Sequence, residues 1–169
     1  NDIIAKYENL IAEIDVFARV LQEKHFNDIR CKIGCTTCCQ ADISIFPIEA
    51  FYMQNHFSQK NINNSNNKYC PFLHNDSCIH YKHRPIVCRT QGFPLLYSAE
   101  NNSFEISLCH LNFTHHEELL LNEDDCLPME KINYNLALLN FAFLKKINKF
   151  DSFKDLRINM KDIYKITFK

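Results

Sequence analysis

Four cysteines fall within nine residues, Cys31, Cys35, Cys38 and Cys39, and few folds place so many thiols so close together unless something holds them there. A two-residue gap such as Cys35-x2-Cys38 lets both sulfurs reach one metal, because the intervening turn brings the side chains to the same side. Thiolate is the soft ligand that zinc, copper(I) and iron–sulfur clusters prefer. The adjacent Cys38 and Cys39 diverge in most backbone conformations, so they serve two metals, or one metal and the core. Downstream stand Cys70, Cys78, Cys88 and Cys109. Eight thiols suffice for two tetrathiolate sites, or for one cluster plus structural thiols. A ninth, Cys126, has no partner spacing and reads as a core or surface thiol. An odd total excludes complete internal disulfide pairing, and 169 residues exceed the small secreted scaffolds that live by disulfides. Metal binding is therefore the working reading.

Other features narrow the class. Lys plus Arg number 19 against 20 Asp plus Glu, a formal net charge of -1, so the basic footprint of a nucleic-acid binder is missing. No apolar run approaches the roughly 18 residues of a membrane span, and the first residues lack the basic, apolar, small-residue order of a secretory leader. The expectation is a cytoplasmic protein that binds neither nucleic acid nor membrane. A chain of this length buries roughly two-thirds of its unfolded surface, so it needs no covalent staples to fold.

Periodicity divides the sequence into two helical flanks and an irregular centre. Ile3, Ile4, Tyr7, Leu10, Ile11, Ile14, Phe17, Ala18 and Leu21 follow the three-and-four spacing of one helical face, predicting an N-terminal helix over residues 2–29. Over residues 31–113 this period fades. There Ala41–Ile45 alternates as a short strand, and Pro47 suits the first position of a helix ending near Phe57. The tract 61–67 reads as a loop. One hairpin turns at His74–Ser77 between Phe72 and Ile79, and another at Glu100–Asn102 between Leu95 and Leu108, with Phe104, Ile106 and Leu108 on one face. Helices return over 114–169. A short one is capped by Thr114 and runs to Leu121, and a long one begins near Pro128. A final face of Phe153, Leu156, Met160, Ile163 and Tyr164 follows a Ser152/Asp155 capping box. The predicted fold is a single domain, mostly α with short irregular β-hairpins, in which N- and C-terminal helices enclose a cysteine-rich metal-binding core.

Around the thiols, other side chains carry weaker signals. His80, His83 and His110 could ligate, but eight thiols already suffice. Arg84 and Arg89 invite a role in holding an anionic cofactor or substrate, since guanidinium groups lower thiol pKa and grip carboxylates; neutralising the thiolates is the plainer account. Gly92, one of only two glycines, suits a backbone conformation closed to other residues. Glu49 and Glu105 lie near the cysteine region, yet neither stands out as a general base, and no catalytic residue is assigned.

The runs CKIGCTTCCQ, YCPFLHNDSC, IHYKHRPIVCRTQGFP and LCHLNF together resemble the YkgJ-type cysteine-cluster family, described as zinc- or iron-chelating. The resemblance covers residues 31 to 113. It implies metal binding by Cys31, Cys35, Cys38, Cys39, Cys70, Cys78, Cys88 and Cys109. The family often opens with Cys-x2-Cys-x2-Cys-Cys, whereas three residues separate Cys31 from Cys35 here. A relative in this cysteine region is the flagellin lysine N-methylase, which sets a methyltransferase-like protein-modifying activity beside the oxidoreductase activity that an iron–sulfur cluster would bring. The sequence has no glycine-rich methyl-donor loop. Three functions compete. The first is an iron–sulfur cluster for electron transfer or for modifying a protein partner, for which Cys70-Pro71 is a further sign. The second is a zinc-binding (Zn2+) interaction module without catalysis. The third is a redox or metal-handling chaperone.

Overall fold

The computed structural model describes residues 2–56, 68–100, 103–115 and 121–168. Two long helices form a frame. α1 (Asp2–Lys24) buries Tyr7, Leu10, Ile11, Ile14, Ala18 and Leu21, the stripe that the sequence period marks. α4 (Met129–Lys146) packs against it and buries Met129, Ile132, Leu136, Phe143 and Leu144. Each large apolar side chain buried in this way stabilises the frame by roughly 1.5–3 kcal/mol. α4 ends where Asn148 takes a left-handed φ of 55°, a conformation that Asn tolerates better than most residues.

α1 stops at Lys24 rather than at Ile29. Residues after Lys24 turn, with the Asp28 and Ile29 amides both donating to the His25 carbonyl. The buried Asp125 carboxylate binds Lys24 Nζ and His25 Nε2, pinning the helix end to the turn Glu123–Asp125. The chain then bends so that Asp28 O accepts from Phe113 N.

α2 (Pro47–Asn55) begins on the expected proline and lies against α4. The first amides of a helix have no partner within it. Here Ile48 N donates to Asn140 Oδ1 of α4 at 3.1 Å, which explains a buried asparagine in the middle of an apolar stripe. β1 is only Ser44–Ile45, shorter than the predicted Ala41–Ile45, and its partner is β7 (Ile158–Asn159) near the other end of the chain.

That pairing corrects the reading of the last segment. Ser152 lies inside α5 (Phe150–Phe153), so it caps nothing, and no helix runs on to Tyr164. The chain instead extends to meet β1, Met160 N donates to Ile43 O, and Asn159 Oδ1 caps a 3-10 turn at Met160–Lys165. Ile158, Met160 and Ile163 are buried by this path, whereas Leu156 is exposed. Long-range strand pairing overrides a local helical period.

Both hairpins form. β2 (Leu73–His74) and β3 (Ser77–Cys78) join through Asn75 and Asp76, whose φ values of 47° and 56° are what a two-residue primed turn requires. β4 (Leu95–Ser98) pairs antiparallel with β5 (Phe104–Ser107) and, on its other edge, parallel with β6 (Leu127–Pro128), which leads directly into α4. Phe104 is exposed, so the predicted apolar face of β5 is only partly buried. α3 (Ile86–Thr90) packs on α1. The predicted loop at 61–67 lies outside the described residues, as does most of the short helix expected from Thr114 to Leu121. Among the described residues, no helix is long and apolar enough to cross a membrane.

Candidate metal centre

All nine cysteines are thiols. Seven of them, Cys31, Cys35, Cys38, Cys39, Cys70, Cys78 and Cys88, line one cavity of about 380 Å³. Three pieces of chain bring them there. The loop Cys31–Cys39 turns at Gly34, φ 94°, and its Gly34 amide donates to Asp76 O in the β2–β3 turn. Cys70 N donates to Cys39 O, and an isolated bridge joins Gln40 to Tyr69, so the first and second cysteine segments are tied through their backbones. Cys78 stands on β3 opposite Leu73, and fully buried Phe72 anchors that hairpin against His80.

Cys88 comes from α3, whose position is set by Glu49. This carboxylate is 2 % exposed and accepts from Phe46 N and Ile86 N, both at 2.9 Å, so one side chain serves the N-terminal ends of α2 and α3. Burial raises its pKa against the opposing effect of the two amide donors. Glu49 is an architectural residue.

Cys109 follows β5 and does not line the cavity. It interacts with Cys31 across a small polar clip that sequence reasoning missed. Buried Asn112 accepts from Arg30 N at 2.9 Å through Oδ1, and its Nδ2 donates to Gly92 O at 2.5 Å and toward Cys31 Sγ at 3.7 Å. Gly92, φ 100°, is where that sulfur sits: a Cβ built there would collide with Cys31 Sγ. The expected architectural role of Gly92 is thus a cradle for a thiol. An Asn three residues after the last clustered cysteine, in LCHLNF, was the available signal.

The two arginines differ. Arg89 is 3 % exposed and fully engaged: Nη1 holds the Asp15 carboxylate at 2.6 and 2.8 Å, Nε donates to Arg84 O and Nη2 to Lys82 O. It clamps α3 to α1. Arg84 stacks on the Tyr81 ring at 4.0 Å and donates to Cys88 O and Tyr81 O, and its charge favours the ionised forms of Cys38 and Cys78. Cys126 is buried away from the cavity, its thiol donating to Asn122 O, and burial pushes it up to about 11.

Electrostatically, the cavity is a set of thiols that cannot ionise together. Burial, then repulsion from Cys78 and Cys38, pushes Cys70 up to about 11, and burial drives Cys88, Cys78 and Cys31 upward as well. Cys38 is raised chiefly by donating to Cys39, which is lowered by the same bond. His80, 2 % exposed beside Tyr164, is held down to about 4 by burial and presents a neutral ring. His83 stacks on His56 instead of joining the thiols, and His115 contacts Arg30. Among the described residues no three His, Cys, Asp or Glu donors already meet at a single point. The sulfurs surround a space, and a soft cation in that space is the charge that would let them ionise. The donor set fits zinc or iron.

Comparison with known proteins agrees. The CxxCxxCC family model, described as a "putative zinc- or iron-chelating domain", matches residues 30–127. No curated protein and no solved structure matches significantly. Matched over more than half its length and through the segments that line the thiol cavity, the chain belongs to the CxxCxxCC family of zinc- or iron-chelating domains.

Proposed function

We propose that the protein holds an iron–sulfur cluster in the thiol cavity, for electron transfer or for modification of a partner protein. The observation that carries this reading is that seven cysteines line one cavity of about 380 Å³. A bare divalent ion fills far less space than one water, whose share of liquid volume is roughly 30 Å³. Sulfurs spread around a larger volume suit a polynuclear centre, which takes up and returns single electrons. Cys31, Cys35, Cys38, Cys39, Cys70, Cys78, Cys88 and Cys109 supply more sulfurs than one cluster uses, so a second site or structural thiols account for the remainder. Arg84 offsets the negative charge of the ionised sulfurs, and Arg89 keeps Cys88 in place through Asp15. The centre of the chain needs reducing conditions to keep these thiols available, in keeping with a cytoplasmic location.

A zinc-binding module without catalysis is the second reading, and the irregular backbone of Cys31–Cys39 favours it, because such loops take folding energy from closed tetrathiolate sites. Anaerobic purification with iron, sulfide and zinc analysis separates the two. Iron and acid-labile sulfide with visible absorption are the expected result. Stoichiometric zinc in a colourless protein that also resists cluster reconstitution overturns the iron–sulfur reading.

A further inference from the structure

The mouth of the thiol cavity is apolar and basic, while the remainder of the chain is acidic. Ile33 is 83 % exposed and Tyr81 60 %, and both line the cavity together with exposed Val87; Ile79 is exposed between the lining residues Cys78 and His80. Soluble proteins do not usually gather exposed apolar side chains around one opening without a partner to cover them. Charge says what kind. Within residues 30–92, the described positions carry six Lys and Arg against three Asp and Glu, a balance of +3 in a chain of net -1. Of these groups, Glu49 is buried and Arg89 is spent on Asp15. Arg30, Lys32 and Lys82 are exposed beside Cys31 and Tyr81, and Asp76 is the acidic residue of the lining.

We infer that this rim is the docking surface for an acidic electron-carrier protein. The inference rests on the iron–sulfur reading and adds the partner to it. An apolar centre with an excess of one sign of charge beside it is the pattern by which transient partners are steered together and seated. The opening is concave with sulfur inside, so the approaching body is convex, and it is acidic where this rim is basic. A flat anionic membrane meets the charge requirement but not the shape. In the exchange the reduced carrier loses one electron and the centre gains one, and no covalent bond is made or broken in either protein.

The test is a titration of an acidic flavodoxin into the purified protein, read as a dissociation constant at low and at physiological ionic strength. Metal content is measured in parallel. Binding is expected at low salt, to weaken as salt rises past about 0.15 M, and to weaken by about tenfold in the Lys32→Glu/Lys82→Glu variant. The Lys131→Glu/Lys145→Glu variant, with the same charge change on the outer face of α4, is expected to bind like the parent. Ile33→Ser tests the apolar part and is expected to weaken binding without changing the salt slope. Four results would each overturn the docking proposal: no binding at low salt, equal loss in the two charge variants, equal binding of basic cytochrome c, or burial of the rim by a second copy or by anionic vesicles. Iron and sulfide analysis decides the underlying reading independently, since a zinc-loaded protein fails that assay whatever the flavodoxin titration gives.

Discussion

The contact between α1 and α4 and the loop Cys31–Cys39 belong to the same molecule but depend on different forces. Along the helices, Tyr7, Leu10, Ile14, Leu136, Phe143 and Leu144 are buried in one apolar core, and the backbone satisfies itself. Between Cys31 and Cys39 there is no helix and no strand. That loop is placed by single hydrogen bonds, Gly34 N to Asp76 O, Arg30 N to Asn112 Oδ1 and Cys70 N to Cys39 O, and by whatever its thiols bind. The frame is stable through area, and the centre through specific partners. Area tolerates substitution of one apolar residue by another of similar volume; a sulfur that must meet a metal does not.

Withdrawing the metal is the largest perturbation, since a structural site of this type contributes on the order of 10 kcal/mol in isolated zinc modules. Chelation should abolish amide-exchange protection in residues 31–39 and 70–92 while α1 and α4 keep theirs, and uniform loss along the chain would erase the contrast. Cys88→Ser should lower metal stoichiometry and Tm where Cys126→Ser leaves stoichiometry unchanged. Next comes the frame: Leu144→Ala should cost about 2–5 kcal/mol in denaturant unfolding, with metal content per folded molecule preserved. Asn112→Ala, which frees Arg30 N and Gly92 O, should cost about 1–3 kcal/mol and accelerate metal loss, so that a stability change alone would place Asn112 with the frame. The smallest effect is acid sensitivity at Asp125. Its carboxyl is held down to about 2, below the ordinary 3.8, first by the bond from Lys24. The resulting stabilisation is complete above the ordinary value and is lost as pH falls from there through about 2. A Lys24→Met variant should therefore flatten the acid limb of a pH-stability curve.

The same division governs what the sequence revealed. The face of α1, the start of α4 near Pro128, the proline start of α2, both hairpins and the clustering of cysteines follow from period, turn residues and spacing, all of which are local. What local patterns missed was decided at long range. The apolar residues Phe153–Tyr164 keep a helical period, yet Ile158 pairs with Ile45, more than a hundred residues away. Asn140 interrupts an apolar stripe because its partner is the Ile48 amide on another helix. Within the centre, spacing identified the thiols but could not show that Arg89, which lines the cavity as Arg84 does, is tied to Asp15, nor find Asn112 behind Cys31.

Glu49 leaves the protein little evolutionary freedom at one position. Its two oxygens reach two amides that belong to different helices, so aspartate, one methylene shorter, would let go of at least one, and glutamine would turn a donor toward a donor. A library covering all twenty residues there should return glutamate far above any other letter, although the side chain is all but sealed from solvent.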